Sequence, residues 1–110
     1  MKHDNTRIYQ RSLELIDVSK EVMDAMPIGY GFLVDQLRRA ASSVPLNFSE
    51  GYPKASIKEQ RRFFRMAKAS CYEVAAIFDV AQRFGVIRPD LHERGRDICD
   101  HVAAMLTKFR

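Results

Sequence analysis

The sequence predicts an all-α fold, namely an antiparallel up-down-up-down four-helix bundle. Only five glycines and four prolines interrupt 110 residues, so long stretches pass without a helix breaker. Apolar residues recur at helical spacing in four of these stretches. Short connections between long helices favour antiparallel neighbours. The length is that of one domain, and we expect residues 1–110 to form it.

The first predicted helix covers residues 6–26 and is stopped by Pro27. The second covers residues 32–50 and contains Pro45, which removes one backbone hydrogen bond. The apolar period continues beyond this proline as far as Phe48. We therefore expect one kinked helix instead of two separate ones.

The third predicted helix covers residues 57–84 and ends before Gly85. Ser56 and Glu59 have the spacing of a capping box at its start. A 4-3 spacing defines its predicted core row, which consists of Phe63, Ala67, Ser70, Val74, Ile77, Ala81 and Phe84.

The fourth predicted helix opens at Pro89, and Asp90 with Glu93 has the spacing of a second capping box. Its apolar residues continue the 4-3 pattern. They are Leu91, Gly95, Ile98, Val102, Met105 and Phe109.

A second apolar row runs along the third helix, about 50° around from the core row. Two adjacent rows leave more apolar surface than one small bundle needs, and oligomers bury such a surplus. A wider core face is the alternative. We predict subunit contacts at Phe64, Cys71 and Phe78.

Positive charge is concentrated in the middle third of the chain. The net charge is +4, yet residues 38–68 hold eight basic side chains and two acidic ones. From residue 58 the basic residues follow a 3-4-3 spacing along one helix face, which favours polyanion binding over an ordinary solvated face. The predicted nucleic-acid-binding residues are Arg38, Arg39, Lys54, Lys58, Arg61, Arg62, Arg65 and Lys68.

Motifs for catalysis or metal binding are missing from the sequence. His92 and His101 lie nine residues apart, on opposite sides of one helix, and cannot share a metal. The sequence has no phosphate-binding loop, no dinucleotide fingerprint and no nucleophile elbow. We expect no enzyme activity, no cofactor, no metal and no small-molecule substrate.

The cellular setting is also predicted from composition. No apolar run approaches the roughly 20 residues that span a bilayer, and the N-terminus lacks an apolar signal region. The two cysteines have no zinc-site spacing, and a reduced state is favoured over a disulfide. We expect a cytoplasmic protein.

Two segments resemble a known family. Residues 36–51 read Q-L-R-R-A-A-S-S-V-P-L-N-F-S-E-G, and residues 63–73 read F-F-R-M-A-K-A-S-C-Y-E. This is similar to the four helix bundle proteins, also called 23S rRNA intervening-sequence proteins. Their pattern runs approximately Q-L-R-R-A-x-x-S-I/V-x-x-N-I-A-E-G, then F-L-x-x-A-x-x-S-x-x-E. The resemblance covers nearly the whole chain, and residues 47–51 are its most specific part.

The resemblance implies an antiparallel bundle that assembles into a ring-like homo-oligomer, typically a pentamer. Members of the family occur within intervening sequences of bacterial 23S rRNA genes. A related branch comprises accessory proteins of diversity-generating retroelements, which bind nucleic acid and a reverse transcriptase. Nothing in the sequence assigns this chain to that branch.

The shared motif also predicts a polar clasp. Asn47 falls on a core row, so its amide needs a hydrogen-bond partner, and Ser70 on the third helix is the candidate. Glu50 stands at a helix C-terminus, where an anion is unfavourable. We expect it to pair with Arg38, Arg39 or an arginine of the third helix.

Two functions from different classes remain at this point. The first is a homo-oligomer that binds RNA or DNA through the basic face of the third helix. The second is a scaffold whose apolar rows and arginines dock a partner protein.

Overall fold

Four α-helices make up most of the computed structural model, which describes residues 1–109. They are α1 (Arg7–Ala25), α2 (Gly31–Gly51), α3 (Ile57–Arg83) and α4 (Pro89–Lys108). A short 3-10 helix at Lys2–Asn5 precedes them, and the sequence pattern did not indicate it. The part of the chain described contains no strand, which confirms the predicted all-α class.

Two of the helix starts are capped by hydroxyl side chains, and the cap at Ser56 was predicted. The Thr6 Oγ1 atom accepts a hydrogen bond from the Tyr9 amide at 3.1 Å. The Ser56 Oγ atom accepts one from the Glu59 amide at 3.3 Å. The reciprocal half of the capping box is not formed, because the Glu59 carboxylate binds Arg62 instead.

The start of α4 differs from the predicted capping box. Pro89 is the first helical residue, where its missing amide hydrogen costs nothing. The Asp90 carboxylate accepts two hydrogen bonds from Arg88 at 3.0 and 3.1 Å. Asp90 is therefore inside the first turn and is not the cap.

The second helix runs without a break through Pro45, as predicted. Side chains around the proline bond to the helix backbone. Ser42 donates to the Arg39 carbonyl at 3.1 Å, and Asn47 donates to the Ser43 carbonyl at 2.9 Å. These local hydrogen bonds lie close to Pro45, whose nitrogen carries no hydrogen and cannot donate a backbone hydrogen bond.

Each helix packs against two others, in the cyclic order α1, α2, α3, α4. Residue numbers rise on one helix while they fall on its neighbour, as antiparallel packing requires. The contacts that show this are Arg39–Glu73 with Ser43–Ser70, Asp79–His92 with Phe64–Phe109, and Arg11–His101 with Glu21–Arg94. Within residues 1–109, no helix is both long enough and apolar enough to cross a membrane.

Both apolar rows of α3 enter the core of the chain, so the predicted subunit contacts are wrong. Phe64 is 5% exposed, and Cys71 and Phe78 are fully buried. The Phe64 ring stacks on Phe48 at 5.1 Å and meets Phe109 edge-on at 4.9 Å. These side chains are buried within one chain and are not available for contact with a second chain.

The ends of the predicted core row lie outside the core instead. Phe63 is half-buried, and Phe84 is 56% exposed. Because two adjacent rows fill the core, its centre lies between them and the outer edge of the first row turns toward solvent. The wider core face, which was the alternative prediction, is what the structure has.

Two glycines let α3 approach its neighbours closely. A Cβ atom on Gly51 of α2 would lie 2.7 Å from the Phe63 Cβ atom. A Cβ atom on Gly95 of α4 would lie 2.6 Å from a ring carbon of the buried Phe78. Any larger residue at these positions would push the helices apart.

We expect Gly95→Ala to destabilise the fold by about 1–2 kcal/mol, because overpacking against Phe78 outweighs the gain in helix propensity. Urea unfolding followed by circular dichroism measures the change. Gly31→Ala is the matched control, since a Cβ atom at Gly31 meets nothing within 4 Å. Equal stability of the two variants would contradict the close packing.

Candidate nucleic-acid interface

A row of four basic side chains follows one face of α3. Its spacing of 3-4-3 residues places them on one side of the helix. We call this row the basic stripe, and it consists of Lys58, Arg61, Arg65 and Lys68. All but the half-buried Lys68 are exposed. These four residues of the predicted set are the ones that the structure brings together.

The stripe keeps much of its positive charge. Lys58, Arg65 and Lys68 form no ion pair with any residue in the described part of the chain. Cations on solvated helix faces are commonly offset by acids three or four residues away. Three cations in one row without such acids give a local positive potential that attracts anions.

A groove of about 220 Å³ runs beside the stripe, between α3 and the end of α4. Basic and apolar side chains share its walls. The lining residues are Arg61, Phe64, Arg65, Lys68, Leu106, Thr107 and Phe109. Positive charge, one hydroxyl and aromatic edges therefore meet in one concave surface.

Lys54 and Arg62 were predicted in the same set, but they lie around a different side chain. Lys54 Nζ is 5.4 Å and the Arg62 guanidinium carbon is 4.5 Å from the centroid of the Phe63 ring. Arg62 donates two hydrogen bonds to Glu59, which hold the pKa of that carboxyl below its usual range. Lys54 pairs with Glu50 at 3.3 Å. Both cations are thus partly neutralised.

The two arginines of α2 do not join the stripe. Arg38 pairs with Asp35 of its own helix at 3.3 Å. Arg39 lies 3.9 Å from Glu73 of α3. Arg39 therefore contributes to the contact between α2 and α3. The predicted basic patch is thus divided among the basic stripe, the surroundings of Phe63 and the outer surface of α2.

The polar clasp exists, but its centre is Ser43. The Asn47 amide donates to the Ser43 hydroxyl oxygen at 2.8 Å, and the Ser70 hydroxyl donates to the same oxygen at 2.9 Å. Asn47 and Ser70 are thus joined through a residue that the sequence analysis did not assign to the clasp. Glu50 is no part of it, because its partner is Lys54 one turn further on, which corrects the predicted pairing with an arginine.

Five exposed apolar side chains lie on the outer surfaces of α2 and α3. Leu46 follows Ser43 by three residues and Met66 precedes Ser70 by four, so both flank the clasp. Leu46 is 66% exposed. We define the apolar face as Phe32, Leu46, Met66, Val80 and Phe84, all of which are exposed.

A charged network that the sequence analysis missed joins α3 to α4. Asp79 accepts hydrogen bonds from Arg96 at 2.7 and 2.9 Å and lies 2.7 Å from His92 Nε2. Burial acts to raise the pKa of Asp79, but the bonds to His92 and Arg96 outweigh it and hold the pKa below its usual range. His101 faces the other side of α4, where Arg11 donates to its Nδ1 atom.

Within residues 1–109, neither a reactive thiol nor a metal-binding cluster is indicated. Cys71 and Cys99 are free thiols, and burial raises the pKa of each to about 12. Such thiols are poor nucleophiles at neutral pH. Across residues 1–109, no cluster of three or more His, Cys, Asp or Glu side chains could hold a metal ion.

Two features that were not predicted could have been recognised from the spacing of their residues in the sequence. His92 and Arg96 are four residues apart and so share one face of α4, which indicates a common acidic partner. Tyr72 continues the 3-4-3 spacing of the basic stripe by four residues, and it is 59% exposed. The role of Ser43 had no such signal, because it depends on the axial register of α2 against α3.

Comparison with known proteins gives one family and one fold. A family model described as "23S rRNA-intervening sequence protein" matches residues 4–108. A crystal structure from Bacteroides thetaiotaomicron, described as a protein with unknown function from the S23 ribosomal protein family, is similar with a TM-score of 0.76. It shares 15% identity, and the alignment covers 90% of this chain and 94% of that one. No curated protein matches.

We expect Asp79→Asn to lower stability at neutral pH by about 1 kcal/mol or less, since the pair is partly exposed. A carboxyl whose folded pKa is lowered contributes stability above its unfolded pKa of about 3.9. That contribution disappears as the pH falls through the folded pKa. The difference between wild type and variant should therefore vanish in acid, as urea unfolding at several pH values would reveal.

Asp97→Asn is the control for this measurement, because Asp97 is exposed and forms no ion pair within the described residues. It should change stability little at any pH. If the Asp79→Asn deficit persisted at the lowest pH, lost packing would explain it better than lost charge.

Proposed function

The chain belongs to the 23S rRNA-intervening sequence protein family, and from this premise we propose that it is a non-enzymatic homo-oligomer that binds the backbone of RNA or DNA. The basic stripe of α3 is the proposed contact. The observation that carries the proposal is the row of Lys58, Arg65 and Lys68, which have no acidic partner in residues 1–109. Two of them, Arg65 and Lys68, line the groove.

Phosphate binding is the chemistry that suits this stripe. Its four cations extend over about 15 Å of helix, at 1.5 Å per residue. A line of separate positive charges matches the repeating charge of a phosphodiester backbone and requires no base recognition. Arg61 and Arg65 also carry planar guanidinium groups, which bind phosphate oxygens in pairs. The proposal is therefore sequence-independent binding.

Self-association is the second part of the proposal. The apolar face along α2 and α3 is the surface that we assign to it, in place of Phe64, Cys71 and Phe78. Exposed apolar patches commonly mark contacts between proteins. The resemblance implies a ring, typically a pentamer, and a ring would repeat the basic stripe once in each subunit. Weak single contacts then become strong together.

The apolar face also favours the second candidate, a scaffold for another protein. Leu46 and Phe84 would then contact a different chain rather than a second copy. The measurement of mass described below separates the two. A cytoplasmic location is part of both proposals, and the free thiols of Cys71 and Cys99 are consistent with it.

We expect micromolar protein to bind oligonucleotides at about 50 mM salt, with an affinity that falls steeply as salt is added. Replacing Lys58, Arg65 and Lys68 with glutamine removes three phosphate contacts. The slope of log K against log salt should then decrease in magnitude by about 2 to 3. Fluorescence anisotropy with a labelled strand measures both quantities.

The matched control is the triple variant Lys20→Gln, Arg38→Gln and Arg88→Gln, which makes the same change in net charge elsewhere. Each of these three side chains is paired with an acid nearby. The control should keep the wild-type slope. If both triple variants lost affinity equally, net charge alone would account for binding, and absence of binding at low salt would contradict the proposal.

We expect light scattering to give a mass several times the 12.7 kDa of one chain, with five times that mass as the proposed value. The double variant Leu46→Glu and Met66→Glu places two charges in the apolar face and should give monomers with unchanged helix content. Burying an unpaired charge at an interface is costly, so assembly should fail.

Leu13→Glu on α1 is the control, because Leu13 is partly exposed outside the apolar face. It should leave the mass unchanged. A wild-type chain that is monomeric at micromolar concentration would contradict self-association and would favour the scaffold.

A further inference from the structure

Tyr72 is an exposed aromatic side chain that extends the basic stripe. It follows Lys68 by four residues, so it lies one helical turn further along the same face of α3. More than half of its surface, 59%, is open to solvent. Its ring therefore contributes little to the core, and it adds an apolar surface at the end of a line of cations.

The surroundings of the Tyr72 ring are basic. Lys68 Nζ lies 5.9 Å from the ring centroid, a distance at which an ammonium group is attracted to the ring. A group that binds beside this ring would therefore have a cation next to it. Arg65 lies one turn before Lys68, so the sequence of groups along the face is cation, cation, ring.

Two other aromatic side chains lie near basic groups, but neither offers a free ring. Phe63 is half-buried and is covered by both Lys54 and Arg62. Phe109 is held against Phe64 edge-on at 4.9 Å and takes part in the core. Tyr72 is the aromatic residue of this surface whose exposure suits an incoming planar group.

An exposed ring beside phosphate-binding cations suits one class of nucleic acid. Unpaired bases stack on aromatic side chains, while their backbone follows a positively charged groove. Bases in a duplex are already stacked inside the helix and cannot reach such a ring without being unpaired. Backbone contacts alone would not distinguish the two forms, whereas a stacking side chain does.

We propose that the basic stripe binds single-stranded nucleic acid, with an unpaired base stacked on Tyr72 and the adjoining phosphates bound by Lys68 and Arg65. This inference rests on the proposed function, since it specifies the form of nucleic acid that the stripe selects. Stacking acts on any base, so the preference is for an unpaired strand and not for a sequence. RNA and DNA strands share the chemistry that is recognised.

The test compares a single strand with the duplex of the same sequence, as RNA and as DNA, by fluorescence anisotropy. Wild type should bind the single strand more tightly. Tyr72→Ala should weaken that binding by roughly fivefold or more and leave duplex binding unchanged. The salt dependence should stay the same, because no phosphate contact is removed.

Two conservative variants separate stacking from simple bulk. Tyr72→Phe keeps the ring and should retain the affinity of the wild type. Tyr72→Leu keeps apolar surface without a ring and should behave as Tyr72→Ala does. Because the chain contains no tryptophan, Tyr72→Trp adds a single indole, whose fluorescence should be quenched when a base stacks on it.

The outcomes distinguish this inference from the proposal on which it rests. Equal binding of single strand and duplex, with no effect of Tyr72→Ala on RNA or DNA, would overturn the stacking role while backbone binding stands. Failure of the wild type to bind any strand would overturn both. Selective loss of single-strand binding, for either sugar, would support the inference.

Discussion

The bundle depends on the close approach of α3 to its two neighbours at glycine positions. Gly51 of α2 leaves room for Phe63, and Gly95 of α4 leaves room for the ring of Phe78. With the helices so close, Ser70 can reach Ser43 across one junction. A large aromatic side chain on one helix therefore requires a glycine on the next helix. The polar contacts between the helices depend on this close packing.

This packing turns α3 so that each of its sides has a different neighbour. One side enters the core, one borders α4 and carries the basic stripe, and one borders α2 and carries part of the apolar face. The clasp and the pair Arg39–Glu73 hold α2 against α3, while Asp79 with His92 and Arg96 holds α4. Fixing α3 from both sides keeps the basic stripe in one orientation, which a binding surface needs.

The sequence was sufficient for the four α-helices and for the basic stripe, because both follow from the 3.6-residue period. The sequence was not sufficient to show how the two adjacent apolar rows of α3 share one core. Phe63 and Phe64 are adjacent and equally apolar, and the choice between them depends on Gly51 and Phe48, which lie in another helix. The same holds for Ser43, whose partner Ser70 is set by the axial register between helices. Glu50 is different, because its partner Lys54 stands four residues further on and that spacing can be read from the sequence.

The interleaving of three surfaces on α3 also affects how this chain can vary. The stripe residues lie outside the core, so a substitution there can change the charge of the surface without disturbing the packing. An insertion or deletion of one residue is different, because it rotates everything beyond it by about 100°. Phe78 would then leave the space at Gly95, and the stripe and the apolar face would both turn away from their present neighbours. Helix α3 can thus accept substitutions on its surface but not insertions or deletions.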